Sequence, residues 1–66
     1  MLNMKIARLK KGLNQSELAE LVGVQSKIIS RYETGVNYPT VDTLLKISEA
    51  LNVSVDYLLG ITDKER

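Results

Sequence analysis

Residues 14–35 read NQSELAELVGVQSKIISRYETG, and the spacing of apolar residues and breakers in this stretch decides the fold. Leu18, Ala19 and Val22 recur at the intervals that put them on one face of a helix, and Ile29 and Tyr32 do the same beyond Gly23. Neither run shows the sustained alternation that a strand needs. Asn14 is placed to cap the first helix while Glu17, three residues on, reaches back to the Asn14 N–H. Gly23 ends that helix and Gly35 ends the next. Ala19 is small enough for the two backbones to approach, and Val24 plugs the turn. Two short helices joined by three or four residues that include a glycine make a helix-turn-helix unit, expected here at about residues 15–34.

The flanks supply the rest of the domain. A helix from about Asn3 to Lys11 precedes the unit and stops at Gly12, with Lys10 and Lys11 in its last turn, where cations suit the negative end of the helix dipole. After Pro39, Thr40 caps a helix that carries Val41, Leu44, Leu45, Ile47, Ala50 and Leu51. It ends near Asn52, which tolerates the left-handed conformation. Ser54 caps a short fifth helix, Val55 to Leu59, closed by Gly60. The fold expected is all-α, five helices in one domain over residues 1–61, with residues 62–66 as a frayed tail.

Composition excludes more than it proposes. Sixty-six residues, 44% apolar and 26% charged, make one small folded domain near the lower limit for a single core. The chain has no cysteine, histidine or tryptophan, so disulfides, the commonest general base and most transition-metal ligands are missing. No cofactor, metal or small-molecule ligand is expected. The apolar runs are too short for a membrane span, and the basic residues of MLNMKIARLKK follow the apolar ones, which is the wrong order for a secretory signal. A cytoplasmic location is expected.

Charge is distributed unevenly. Six basic and three acidic residues lie between Met1 and Pro39, against three basic and five acidic from Thr40 to Arg66. The polarity would turn the first half toward a polyanion. At about 100° per residue, Ile29, Tyr32 and Glu33 share one side of the helix that follows Gly23, and Ser26, Lys27, Ser30 and Arg31 share the other. That outward side holds two cations and two hydroxyls and no acid. A solvated surface could carry such residues, and a generic bundle would need the same apolar positions. As the second helix of a helix-turn-helix, however, this face suits a DNA major groove, where lysine and arginine donate to guanine O6 and N7 and serine adapts to several base edges.

The run NQSELAE, then GV, ISRYETG, P, TLLKI and ALNVSVDYLL resembles the Cro and phage-repressor class of helix-turn-helix domains, often called Xre-like, over about Met4 to Gly60. The resemblance implies a compact five-helix, lambda-repressor-like domain that binds operator DNA as a symmetric homodimer. It implies phosphate contacts from Gln15, which also braces the recognition helix, and from Asn14. The base-reading positions fall on Ser26, Lys27, Ser30 and Arg31, with Gln25 just before them and Lys10 and Asn37 as further DNA contacts. Ile28 could meet a thymine methyl or pack partly inside. Arg8 and Glu33 match a buried ion pair that is structural.

This chain departs from the pattern at several places. Gln25 stands where serine or threonine usually caps the recognition helix, which could shift its start to Ser26. Leu21 replaces a polar surface residue. The loop 34–38 lacks basic residues, leaving backbone N–H groups, Asn37 or Tyr38 to meet phosphate. The expected dimer surface is Val55, Tyr57, Leu58 and Ile61, with Leu59 in the core; the alternative is that all five close the core of one monomer. The function expected is a transcriptional regulator, most simply a repressor. An antitoxin or a restriction-modification controller would use the same domain, and a protein-interaction module that had lost DNA binding would carry acids on the outward face. An enzyme is not expected, because Ser16, Ser26, Ser30 and the lysines have no base or oxyanion partner at a recognisable spacing.

Overall fold

Side-chain oxygens start three of the five helices. In the computed structural model, which describes residues 1–66, the elements are α1 (Leu2–Lys10), α2 (Gln15–Val22), α3 (Ser26–Thr34), α4 (Val41–Leu51) and α5 (Val55–Leu59). Asn14 Oδ1 accepts from the Glu17 N–H at 2.7 Å while Glu17 Oε1 accepts from the Asn14 N–H at 2.9 Å, so both halves of the capping box are made. Thr40 and Ser54 cap α4 and α5 through the N–H groups of Thr43 and Tyr57. Helices α2 to α5 each end in a left-handed residue, and at α4 that residue is Asn52, with φ 57°.

Each helix sends one side chain to the centre. Met4, Leu18, Ile29, Ile47 and Leu58 come from α1 to α5 in turn and are fully buried, within a core of twelve apolar residues. Truncating one of them, for example Leu18→Ala, removes transfer energy and leaves a cavity, costing about 2 to 5 kcal/mol. Val24 plugs the turn as expected. Ile28 also packs against the core, which favours its packing role over a thymine contact.

One polar network is buried among these residues. Arg8 Nε donates to Glu33 Oε2 at 2.6 Å and Arg8 Nη2 to Oε1 at 3.2 Å, tying α1 to α3. Arg8 Nη1 donates to the Leu13 carbonyl at 2.8 Å, and Gln15 Nε2 reaches Glu33 Oε1 at 3.1 Å from the start of α2. No buried side-chain nitrogen or oxygen lacks a partner.

Two expectations about the C-terminal region are corrected. Tyr57 and Leu58 are core residues, 5% and 2% exposed, whereas Leu59 is 51% exposed and Ile61 is 70% exposed. Within five residues only one face can turn inward. Here it is the face shared by Tyr57 and Leu58, because α5 also docks on α1, where Asn3 Nδ2 donates to the Tyr57 carbonyl at 2.8 Å. Leu59, a further 100° round, meets solvent. Nor is the tail loose. The Ser54 N–H donates to the Glu65 carbonyl at 2.6 Å, and the Glu65 carboxylate pairs with Lys10.

Replacing one member of a buried pair strands the other, at a cost of about 3 to 5 kcal/mol, against a total stability of about 0.05 to 0.15 kcal/mol per residue. Glu33→Ala therefore lowers the melting temperature sharply, while Lys27→Ala, at an exposed site, stays within about 0.5 kcal/mol of the parent. Equal melting temperatures for the two variants would refute the role given to the pair.

Candidate nucleic-acid interface

The recognition surface depends on how α3 is turned. Its inner residues, Ile29, Tyr32 and Glu33, are buried, and the first two by ordinary hydrophobic packing. Glu33 is held by three donor contacts from two other segments, so rotation of α3 would break charge-assisted bonds as well as packing. With that side fixed, Ser26, Lys27 and Arg31 are exposed and Ser30 is half-buried beside them. Neither of the chain's two ion pairs involves Lys27 or Arg31, so both cations are free to meet an external anion.

The turn before α3 has a strict backbone requirement. Gly23 sits at φ 85°, and the N–H groups of Gly23 and Val24 both donate to the Ala19 carbonyl. A Cβ there would meet nothing within 4 Å, so the demand is for a left-handed backbone and not for space. A side chain at such a φ costs about 1 to 2 kcal/mol. This bend brings α2 and α3 into contact.

The start of α2 lies beside the same surface through Gln15. One amide N–H of Gln15 is used by Glu33, which leaves the second N–H and the amide oxygen for another partner. Asn14 is exposed, with its oxygen committed to the cap and its amide nitrogen unused. Gln25 precedes α3 in an extended conformation and makes no side-chain cap, so α3 begins at Ser26 with its first N–H groups open.

The loop after α3 was expected to meet phosphate through backbone N–H groups, Asn37 or Tyr38, and its backbone narrows that choice. The N–H groups of Val36 and Asn37 both donate to the Arg31 carbonyl, at 3.0 and 3.3 Å, and are thereby consumed. What the loop offers are the exposed side chains of Asn37 and Tyr38 and the Tyr38 N–H, which donates to no backbone carbonyl. The sequence does contain a signal for this, since a glycine just past a helix end usually brings the next N–H groups back onto the last carbonyls. The third bond of Arg8, to Leu13, was likewise missed. A guanidinium has five donors, and a carboxylate that takes two leaves others to be satisfied.

The model of the helix-turn-helix family matches residues 4–58. Among characterised proteins, the chain is 47% identical over 57 residues to the HTH-type transcriptional regulator ImmR of Bacillus subtilis, covering 86% of this chain and 45% of that protein. The P22 c2 repressor, solved with a synthetic operator, superposes with a TM-score of 0.81 at 36% identity over 83% of each chain. The biofilm master regulator SinR, solved in complex with DNA, superposes with a TM-score of 0.79 at 39% identity, covering 89% of this chain and 98% of that one. The chain spans about half the length of the curated relatives it matches.

Lys10 stands apart from the α2–α3 group. Its ammonium donates to Glu65, whose own carbonyl is bonded at the start of α5. The hydrogen bond to the Glu65 carboxylate, and then its charge, hold Lys10 above the ordinary lysine value of 10.5. A lysine pKa raised by folding stabilises the fold below that ordinary value, and the contribution fades only as pH climbs through the raised one. At neutral pH Lys10 therefore carries its charge, and Glu65 stands beside it as a competing anion. In Glu65→Gln the Lys10 side chain, followed by NMR through an alkaline titration, returns toward the ordinary value. An unchanged titration would mean that the pair does not form.

Proposed function

Because the chain belongs to the helix-turn-helix family of Xre and Cro-like domains, we propose that it is a sequence-specific DNA-binding transcriptional regulator, most simply a repressor that occupies promoter DNA. The observation that carries this is the outward face of α3, where Lys27 and Arg31 are exposed, unpaired and unaccompanied by any acid. In the major groove these cations and Ser26 and Ser30 meet base edges, while Gln15, Asn14 and Asn37 meet phosphates on either side. That similar proteins have been solved with an operator or with DNA supports DNA as the partner. Catalysis forms no part of the proposal, and the site of action is the nucleoid in the cytoplasm.

The operator is pseudo-palindromic and is bound by a homodimer. Half-sites on one face of the duplex lie about one helical turn apart, roughly 34 to 36 Å. The chain measures 27 Å between α-carbons along its longest axis, so two copies are needed to reach two successive major grooves. The residues left to contribute to such a dimer are Val55 in α5 and Ile61 just beyond its end, now joined by Leu59.

Selection of bound sequences from a random duplex pool tests the function. Two copies of a short half-site, inverted and one turn apart, are the expected outcome, and no enrichment would overturn it. In binding titrations on the selected duplex, Arg31→Ala loses about 1 to 3 kcal/mol and relaxes preference at one base position per half-site. A loss that is uniform over all sequences would make Arg31 a phosphate contact instead.

A further inference from the structure

The last carbonyls of a helix have no partner inside it and must find one elsewhere. At the end of α3 the Arg31 carbonyl accepts from the N–H groups of Val36 and Asn37, and the Tyr32 carbonyl from Gly35 at 3.3 Å. That of Glu33 receives no backbone N–H. The α-ammonium of Met1 fills this place. It donates to the Tyr32 carbonyl at 2.7 Å and to the Glu33 carbonyl at 3.1 Å, both bonds partly buried, and the Met1 side chain packs against the core. A cation here also lies at the negative end of the α3 dipole.

Helix α1 and the residue before it therefore hold α3 with two cations. Arg8 takes the Glu33 carboxylate and Met1 takes the Glu33 carbonyl, so both the side chain and the backbone of this residue are fixed. We propose that the free α-amino group of Met1 is a positioning group for DNA recognition. It fixes the last turn of α3, and with it Arg31, so that an acyl group joined to it weakens binding to DNA. The inference rests on the DNA-binding reading above.

Arg31 is the base-reading residue within reach of this cap. Its own carbonyl directly precedes the two that the ammonium holds, and the loop that follows α3 hangs on it through Val36 and Asn37. An ammonium has three N–H donors and a full charge. An acylated nitrogen is a neutral amide with one N–H, so the charge and one full bond are lost. A monomethylated amine keeps the charge and two N–H groups, enough for both carbonyls.

The test uses the chain made by peptide synthesis with a free, an acetylated or a monomethylated Met1 nitrogen, each with and without Arg31→Ala. Binding is titrated on a duplex selected from a random pool and on a scrambled duplex, at a temperature where circular dichroism shows every chain folded. On the selected duplex acetylation is expected to weaken binding about fivefold, in the range of a charge at a partly buried helix end. Methylation restores it. With Arg31→Ala in place, acetylation costs under about twofold, because the two changes act on one contact and do not add. A loss that was equal with and without Arg31→Ala, or equal on both duplexes, would reduce Met1 to one positive charge near a polyanion and overturn the proposal. So would no loss at all, or an acetylated chain that failed to fold, since the ammonium would then make the fold and not position a part of it. If the free chain bound no duplex, the DNA-binding reading itself would fall, and hydrogen exchange would decide the cap alone. Faster exchange of the Val36 and Asn37 N–H groups in the acetylated chain would uphold it, and equal exchange would overturn it.

Discussion

The carboxylate of Glu33 holds the domain's two jobs together. It lies in the core, accepts from two of the three Arg8 guanidinium nitrogens on α1 and from the Gln15 amide on α2, and is itself part of α3. Exchanged for a well-packed apolar cluster, such a pair would cost little and could even stabilise. What apolar contacts do not supply is direction. Bidentate geometry between a guanidinium and a carboxylate fixes the rotation of α3 about its own axis, and that rotation decides which side chains face outward. Gln15 links the same carboxylate to the start of α2, so the residue nearest the proposed phosphate contact and the helix proposed to read bases are aligned by one group.

Most of this was legible in the sequence because it is local. The Asn14 and Glu17 capping box, the Gly23 turn, the span of α3 and the division of its faces all follow from spacings of three, four and seven residues, and the structure has them where they were expected. The Arg8–Glu33 pair was legible only through resemblance, since its members are 25 positions apart. The inward face of α5 was not legible. Five residues make less than two turns, and Val55, Tyr57, Leu58 and Leu59 leave several rotations equally apolar, so the choice falls to the docking of α5 on α1 through Asn3. The place of Glu65 was hidden for a similar reason, being a tertiary contact made by a tail with no pattern of its own.

The size of the chain explains the division of labour. With no disulfide or metal to support it, 66 residues must commit one large side chain from every helix to a common centre. Little is left for an internal cavity, and the functional chemistry goes to the outside. One side of that outside is cationic, on α3. Another is apolar, where Leu2, Tyr38, Leu59 and Ile61 are exposed. The loop from Gly35 to Pro39 lies between the two, with the N–H groups of Val36 and Asn37 tied to the Arg31 carbonyl.

The central claim is that the outward face of α3, aligned by Glu33, is the surface that meets DNA. An NMR titration of the amide-labelled chain with a short duplex at low salt tests it most directly. The account predicts that the largest shifts fall on Gln15 and Ser16 and on Ser26 through Arg31, with the far side of α4 unmoved. Shifts confined to other helices, or none at any duplex concentration, would contradict it.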